Sequence, residues 1–231
     1  MEEEFRHQST ASRIKMAEKI KAVIFDLDGT LIDTEKYYVN FGYEVLQEMG
    51  YHCRMEEVLK LRSLNHKFAE PYMQQLLGED FDFMEFRRRR RERVVAALEQ
   101  KGIEKKPHAD EILKYLREHG ILCAVATATD TKRATEYLRE IGLAEHLDRI
   151  ISVTTVPRGK PKPDVYLEAC RQLGEKPENC MAVEDSPNGV KSAYDAGLRV
   201  VMVPDLTKPD EETAQMLYGV SDTLWGIRKF L

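Results

Sequence analysis

The sequence predicts an α/β fold, a mainly parallel sheet with helices on both faces, interrupted near its start by a small α-helical domain. Three observations predict it. Short continuous apolar runs recur along the chain, helical patterns closing on glycine separate them, and between residues 34 and 102 the strand-like runs give way to long amphipathic stretches.

The first run, 21–25 (KAVIF), is too continuous for a half-exposed strand and suits one buried on both faces. The insertion follows, with helical patterns at 37–49 and 81–98. Next comes a strand at 121–126 and a helix at 131–141 that closes on Gly142. A strand at 150–153 leads to a helix at 164–173 stopped by Gly174. Strands at 181–183 and 200–203 flank a helix at 189–196 that ends at Gly197, the usual place for a left-handed stop. The expected division is therefore a core of residues 1–33 and 103–231 with a cap of residues 34–102. Both ends of the cap should lie near the tip of the first strand, where open α/β sheets bind ligands, so the insertion is placed to act as a lid.

With 231 residues the chain can enclose an active site. A formal net charge of -5 leaves no whole-chain electrostatic footprint for nucleic acid, and any bound phosphate must be held locally. Cys53, Cys123, Cys170 and Cys180 have neither zinc-ligand spacing nor the density of a disulfide scaffold, which points to reduced thiols and the cytoplasm. No apolar run is long enough to span a bilayer, and residues 1–19 lack the apolar segment of a secretory signal. Those residues suit an amphipathic helix or disorder equally. The expectation is a cytoplasmic protein acting as a monomer, without membrane or nucleic-acid partners.

Chemistry concentrates where apolar runs end. After the first strand the chain reads Asp26-Leu27-Asp28-Gly29-Thr30, two carboxylates that repel and that burial would penalise unless a cation or shared proton holds them. One such carboxylate can attack phosphorus while the other shuttles a proton. A capped turn with two solvated aspartates accounts for this segment equally well. Past the strand at 121–126, Thr127 and Ala128 open Thr127-Ala128-Thr129-Asp130-Thr131, whose hydroxyls and free amides at a helix start can bind phosphate or simply cap the helix. In Gly159-Lys160-Pro161-Lys162-Pro163-Asp164, two prolines stiffen the chain around Lys160, which can neutralise a phosphoryl oxygen and a carboxylate or point to solvent. Lys162 reads as solvent-facing. Finally Glu184-Asp185 bring two more acids to the same sheet edge, an oxygen-only donor set that suits Mg2+ better than zinc or calcium.

Taken in order, these four segments resemble the haloacid dehalogenase-like hydrolase superfamily over roughly residues 21–203, and the insertion after the first motif is similar to the branch of phosphoglycolate phosphatase and β-phosphoglucomutase. The resemblance implies a Rossmann-like core. It also implies that Asp26 forms an aspartyl-phosphate and that Asp28 is the general acid/base. Thr127, Ala128 and Lys160 would hold the phosphoryl group, and Asp26, Asp28, Glu184 and Asp185 the Mg2+. Because relatives that cleave carbon–halogen bonds lack the second aspartate, Asp28 favours a small phosphorylated metabolite such as a sugar phosphate.

Two other readings stay open, a sugar phosphomutase and an inactive phosphate-binding protein. In the mutase relatives a histidine follows the first motif; Tyr38 aligns there, and 61–66 offers no clear match to their cap arginine. Arg62, Asn65, His66 and Lys67, polar residues expected on a loop between helices, are the cap's candidates for contacting substrate. Phe68, Tyr72 and Met73 should fill the cap's own core. The arginine run 87–91 points several ways around a helix and should be mostly solvated or paired with Glu85 and Glu92.

Overall fold

The computed structural model describes residues 19–231, so the expectation for the first eighteen residues lies outside the described chain. Six strands form one sheet: β1 (Ala22–Phe25), β2 (Leu122–Thr127), β3 (Arg149–Ser152), β4 (Cys180–Glu184), β5 (Arg199–Met202) and β6 (Gly219–Val220). Their order is β3-β2-β1-β4-β5-β6, and every pair is parallel. Phe25 lies opposite Val125 on one side and Val183 on the other, so β1 is central. The strand order reverses beside β1, between the branch through β2 and the branch through β4, which opens a crevice at the carboxyl ends of the strands.

Alternate side chains of β1 enter two different cores. Val23 and Phe25 pack with α5 (Ala109–Glu118) and α6 (Thr131–Glu140), while Ala22 and Ile24 pack with α7 (Asp164–Leu173) and α8 (Pro187–Asp195). This period of two on a strand covered on both faces is why its sequence reads as unbroken apolar residues. The strands and helices of the expected core all appear, with ends shifted by a residue or two. α5, the two-residue β6 and the short α9 (Glu211–Gln215) are additions to the expectation.

The insertion folds as four helices: α1 (Glu35–Glu48), α2 (Met55–Leu59), α3 (His66–Leu77) and α4 (Phe83–Lys101). They share a core of their own in which Val45, Leu46, Met73 and Phe86 are fully buried. Tyr72 packs against it as expected. Phe68 does not; it is half-buried outside that cluster, with the Lys162 ammonium 5.9 Å from its ring. His66 and Lys67 correct the loop assignment, because the side chain of Asn65 accepts from the Lys67 amide at 3.0 Å and starts α3 at His66.

The chain leaves and re-enters the core at one point. The Asp33 amide donates to the Glu104 carbonyl at 2.8 Å, and Ile32 bridges Lys105. Lys106 then ties Asp33 (3.3 Å) to Asp205 (2.7 Å). Among the described residues no helix is long and apolar enough to cross a membrane. All four cysteines are free.

Candidate active site

Asp26 is the first residue beyond β1, and its amide donates to the Val183 carbonyl at 2.9 Å, so the strand geometry carries its side chain to the crevice between β1 and β4. Glu184 closes β4 and Asp185 follows it. The Lys160 ammonium, fully buried, lies 2.5 Å from Asp26 Oδ1 and 2.6 Å from Glu184 Oε1. The Tyr166 hydroxyl, from the first turn of α7, donates to the same Glu184 oxygen at 2.6 Å. Glycines make room for these groups. A Cβ at Gly189 would fall inside the Glu184 carboxylate, and one at Gly29, where φ is +88°, would come within 2.6 Å of Asp185 Oδ2.

Of these three carboxylates, Asp26 and Glu184 thus share one ammonium, while Asp185 meets the Arg62 guanidinium at 3.4 Å. Burial, reinforced by Glu184 and Asp28 against the opposing pull of Lys160, pushes the Asp26 pKa up to about 8. Burial, then Asp26 and Glu184, carry Asp185 well above the usual carboxylate range. Burial works against the charge on Lys160 too, yet Asp26 and Glu184 outweigh it and hold the ammonium protonated. The cluster therefore lacks positive charge.

One oxygen from each of Asp26, Glu184 and Asp185 lies within 4.8 Å of the others, and Asp26 Oδ2 is buried with no hydrogen-bond partner. A purely oxygen donor set with an orphaned carboxylate oxygen fits a hard divalent cation. Asp28 stands outside this cluster. Its Oδ1 accepts from the Thr34 hydroxyl at 2.6 Å and its Oδ2 from the Thr129 hydroxyl at 2.7 Å, which fixes the carboxylate on the wall of the adjoining cavity.

That cavity, of about 260 Å³, lies between the strand tips and the cap, with Asp26, Asp28, Ala128 and Thr129 on the core side. That volume falls just under the range of pockets that take drug-sized ligands, about 300–1,000 Å³, and so suits a small ligand. Thr127, fully buried at the end of β2, accepts from the Thr129 amide at 3.0 Å and keeps its own O–H free to donate.

The cap candidates divide. Arg62 lines the cavity, but its Nη1 lies 3.4 Å from Asp185 Oδ2, and it also bonds Thr207. Asn65 lines it as well, with its amide donating to the Lys160 carbonyl at 2.9 Å and its side chain packed on Gly159. The core holds this loop in return, because Asn188 donates to the carbonyls of Lys60 and Arg62 at 2.9 and 2.8 Å. His66 reaches the cavity; Lys67 is exposed and does not.

The arginine run follows the expectation for the most part, with Arg88 and Arg89 paired with Glu85 and Glu92 and Arg87 and Arg91 exposed, but Arg87, Arg91 and the half-buried Arg90 also line the cavity. Sequence reasoning also passed over Glu35, a buried carboxyl on the cavity wall whose pKa burial pushes up to about 8, with Asp28 adding and Arg62 opposing. Its signal was available: an acid inside the first turn of a helix that opens onto a carboxylate pair. Tyr166 offered none, since a tyrosine in an amphipathic helix reads as core.

The geometry agrees with comparisons to known proteins. A family model described as haloacid dehalogenase-like hydrolase matches residues 23–203. A phosphorylated carbohydrates phosphatase of Thermotoga maritima is 29% identical over 78% of this chain and 82% of its own length. The crystal structure of CbbY from Rhodobacter sphaeroides in complex with phosphate superposes with a TM-score of 0.73 at 28% identity, covering 90% of this chain and 96% of that one. A β-phosphoglucomutase from Clostridium difficile shares the fold, with a TM-score of 0.74 at 21% identity over 89% of this chain and 92% of its own. The chain belongs to the haloacid dehalogenase-like hydrolases, and its enzyme class is phosphoric monoester hydrolase.

Proposed function

We propose that this haloacid dehalogenase-like phosphatase hydrolyses a small phosphate ester, such as a sugar phosphate, with Asp26 as nucleophile and Asp28 as general acid/base. The observation that carries the assignment is the clustering of Asp26, Glu184 and Asp185, with the buried Lys160 ammonium on the first two and Asp26 Oδ2 left unpartnered. Asp26 attacks phosphorus and the ester oxygen leaves, taking a proton from Asp28, whose carboxyl the hydroxyls of Thr34 and Thr129 hold in place. The aspartyl-phosphate is then opened by water, which gives its proton to Asp28 and releases inorganic phosphate.

Lys160 stays charged throughout and neutralises Asp26 as the anionic phosphoryl group approaches. The Thr127 hydroxyl and the Ala128 amide are assigned to the phosphoryl oxygens, in keeping with their place before the start of α6. Mg2+ is the cation we assign, held by Asp26, Glu184 and Asp185 with Asp28 contributing from beside the cluster. When bound it supplies the positive charge that lets a carboxylate and a phosphate meet. Residues 34–102 form the cap that closes over the ester, and residues 1–33 and 103–231 the core that reacts with it. The four free cysteines and the net charge of -5 support a cytoplasmic monomer without nucleic-acid partners.

The test is release of phosphate from p-nitrophenyl phosphate. Wild-type protein is expected to turn over with Mg2+ and stop with EDTA, and Asp26→Asn to be inactive under both conditions. Turnover by Asp26→Asn near the wild-type rate refutes the nucleophile assignment.

A further inference from the structure

Helix α4 carries six arginines between residues 87 and 93, and the structure sorts them into two sets. Arg88 pairs with Glu85 (2.8 Å) and Glu92 (2.7 Å), Arg89 with Glu85 (2.6 Å), and Arg93 with Glu44 (3.2 Å) and Glu48 (2.7 Å). Arg87, Arg90 and Arg91, spaced i, i+3 and i+4, share the face that borders the cavity. None of these three makes an ion pair or a side-chain hydrogen bond with any described residue. The other arginines on the cavity are answered: Arg62 meets Asp185, and Arg133 lies 3.0 Å from Asp130.

Arg90 makes the contrast sharpest. Its guanidinium sits over the rings of Phe86 (5.0 Å) and Tyr38 (5.8 Å), half-buried, where aromatic faces hold it but no anion accepts its N–H groups. Burial lowers its pKa, and Tyr38 and Glu35, which also line the cavity, support its charge without accepting a hydrogen bond from it. Forked donors set on a rigid helix and left without acceptors beside a ligand cavity are a built receptor for a planar or tetrahedral anion.

From this juxtaposition we infer that Arg87, Arg90 and Arg91 form a second anion site, so that the substrate is a phosphate ester carrying a further phosphate or carboxylate group. The inference rests on the phosphatase reading of the same cavity. One anionic end is presented to Asp26, and the other is taken by the cap.

The experiment uses inhibitors of p-nitrophenyl phosphate hydrolysis that cannot react. Alkane α,ω-bisphosphonates of increasing length and ω-carboxyalkyl phosphonates are compared with alkyl phosphonates of equal length. The expected result is that one series with a second anionic group, at its best length, inhibits at least about 30-fold more tightly than the alkyl phosphonate lacking that group, and the better series identifies the second group. In Arg87→Ala/Arg90→Ala/Arg91→Ala this ratio should fall to within about threefold of unity, the scale of a lost set of charge-assisted hydrogen bonds.

Arg87→Ala/Arg91→Ala, which touches only exposed side chains, should lose part of the ratio and guards against misfolding of the triple variant. Arg88→Ala/Arg89→Ala removes equal charge from the paired face and should keep the wild-type ratio. Equal inhibition in the wild type by compounds with and without the second anionic group, or equal loss of the ratio in both sets of variants, overturns the inference. Failure of the phosphatase reading looks different, as absence of turnover, and calorimetric binding of the bisphosphonates would still report on the arginines.

Discussion

The two walls of the cavity are charged in opposite ways. On the core side Asp26 lines the cavity, and behind it Glu184 and Asp185 are buried with it at the ends of two strands, three acids held by the Lys160 ammonium and the Arg62 guanidinium and still short of positive charge. On the cap side Arg87, Arg90 and Arg91 project from one helix face and are short of negative charge. The core wall is fixed by the sheet, because β1 and β4 are paired in register and neither side chain can shift without the strand. The cap wall is set by helix phase, so any residue at those three positions would face the same space. The proposed chemistry thus falls where the fold is rigid, and the proposed selectivity where substitution is easy.

Changes on the core wall should therefore have the largest effects and act on every substrate. Lys160→Ala is expected to lower kcat on p-nitrophenyl phosphate by about a thousandfold or more. It should also destabilise the metal-free protein by about 3–5 kcal/mol, because Asp26 and Glu184 lose the one cation that contacts them among the described residues. Kinetics and urea melts check both, and a kcat within tenfold of wild type would erase the distinction between the walls. Asp28→Asn should cost about a hundredfold to ten-thousandfold in kcat while leaving the melting temperature nearly unchanged, since the amide oxygen can still accept from one of the two threonines.

Gly189→Ala tests the packing behind the acids. Its Cβ would press on the Glu184 carboxylate, with an expected loss of about 1–3 kcal/mol in a denaturant melt.

Glu35 lies between the walls, and pH separates its contribution. Its carboxyl titrates near 8 in the folded chain and near 4.5 when unfolded, so the native state binds the extra proton between those values. Stability contributed by this group is complete below about pH 4.5 and is lost as pH rises through 8. Glu35→Gln should flatten that decline, recovering on the order of 1–3 kcal/mol at pH 9 relative to pH 5. An unchanged slope would show that Glu35 ionises freely. The smallest effect is expected from Arg88→Ala/Arg89→Ala, whose exposed ion pairs with glutamates should leave melting temperature and kcat where they were.

The same contrast explains what could be read from the sequence. Asp26, Thr127 and Glu184-Asp185 were legible because each stands at the end of an apolar run, and a parallel sheet brings such ends to one edge whatever the intervening length, whereas Lys160 was legible from the prolines that stiffen the chain around it. The helices of the core were legible where glycine marked their ends. Arg87, Arg90 and Arg91 were not, because which third of a helix faces a cavity depends on how the helix leans against its neighbours. Arg62 was noted as a polar cap residue, but its partner Asp185 lies 123 residues away, a distance that no local pattern spans. His66 and Lys67 read as loop because they are polar and lie between helical patterns, a signal that does not show Asn65 capping a helix that starts at His66.

The paired linkers at Asp33 and Glu104 bear on how such a chain can diversify. Entry and exit are stitched together by the Asp33–Glu104 and Ile32–Lys105 pairings and braced by Lys106, so the insertion hangs from a single doorway. A module attached in this way can be exchanged or lengthened without altering the register of any strand. A transplant carrying residues 34–102 of a relative onto this doorway should inherit the donor's preference among phosphate esters while keeping the recipient's machinery for cleaving them.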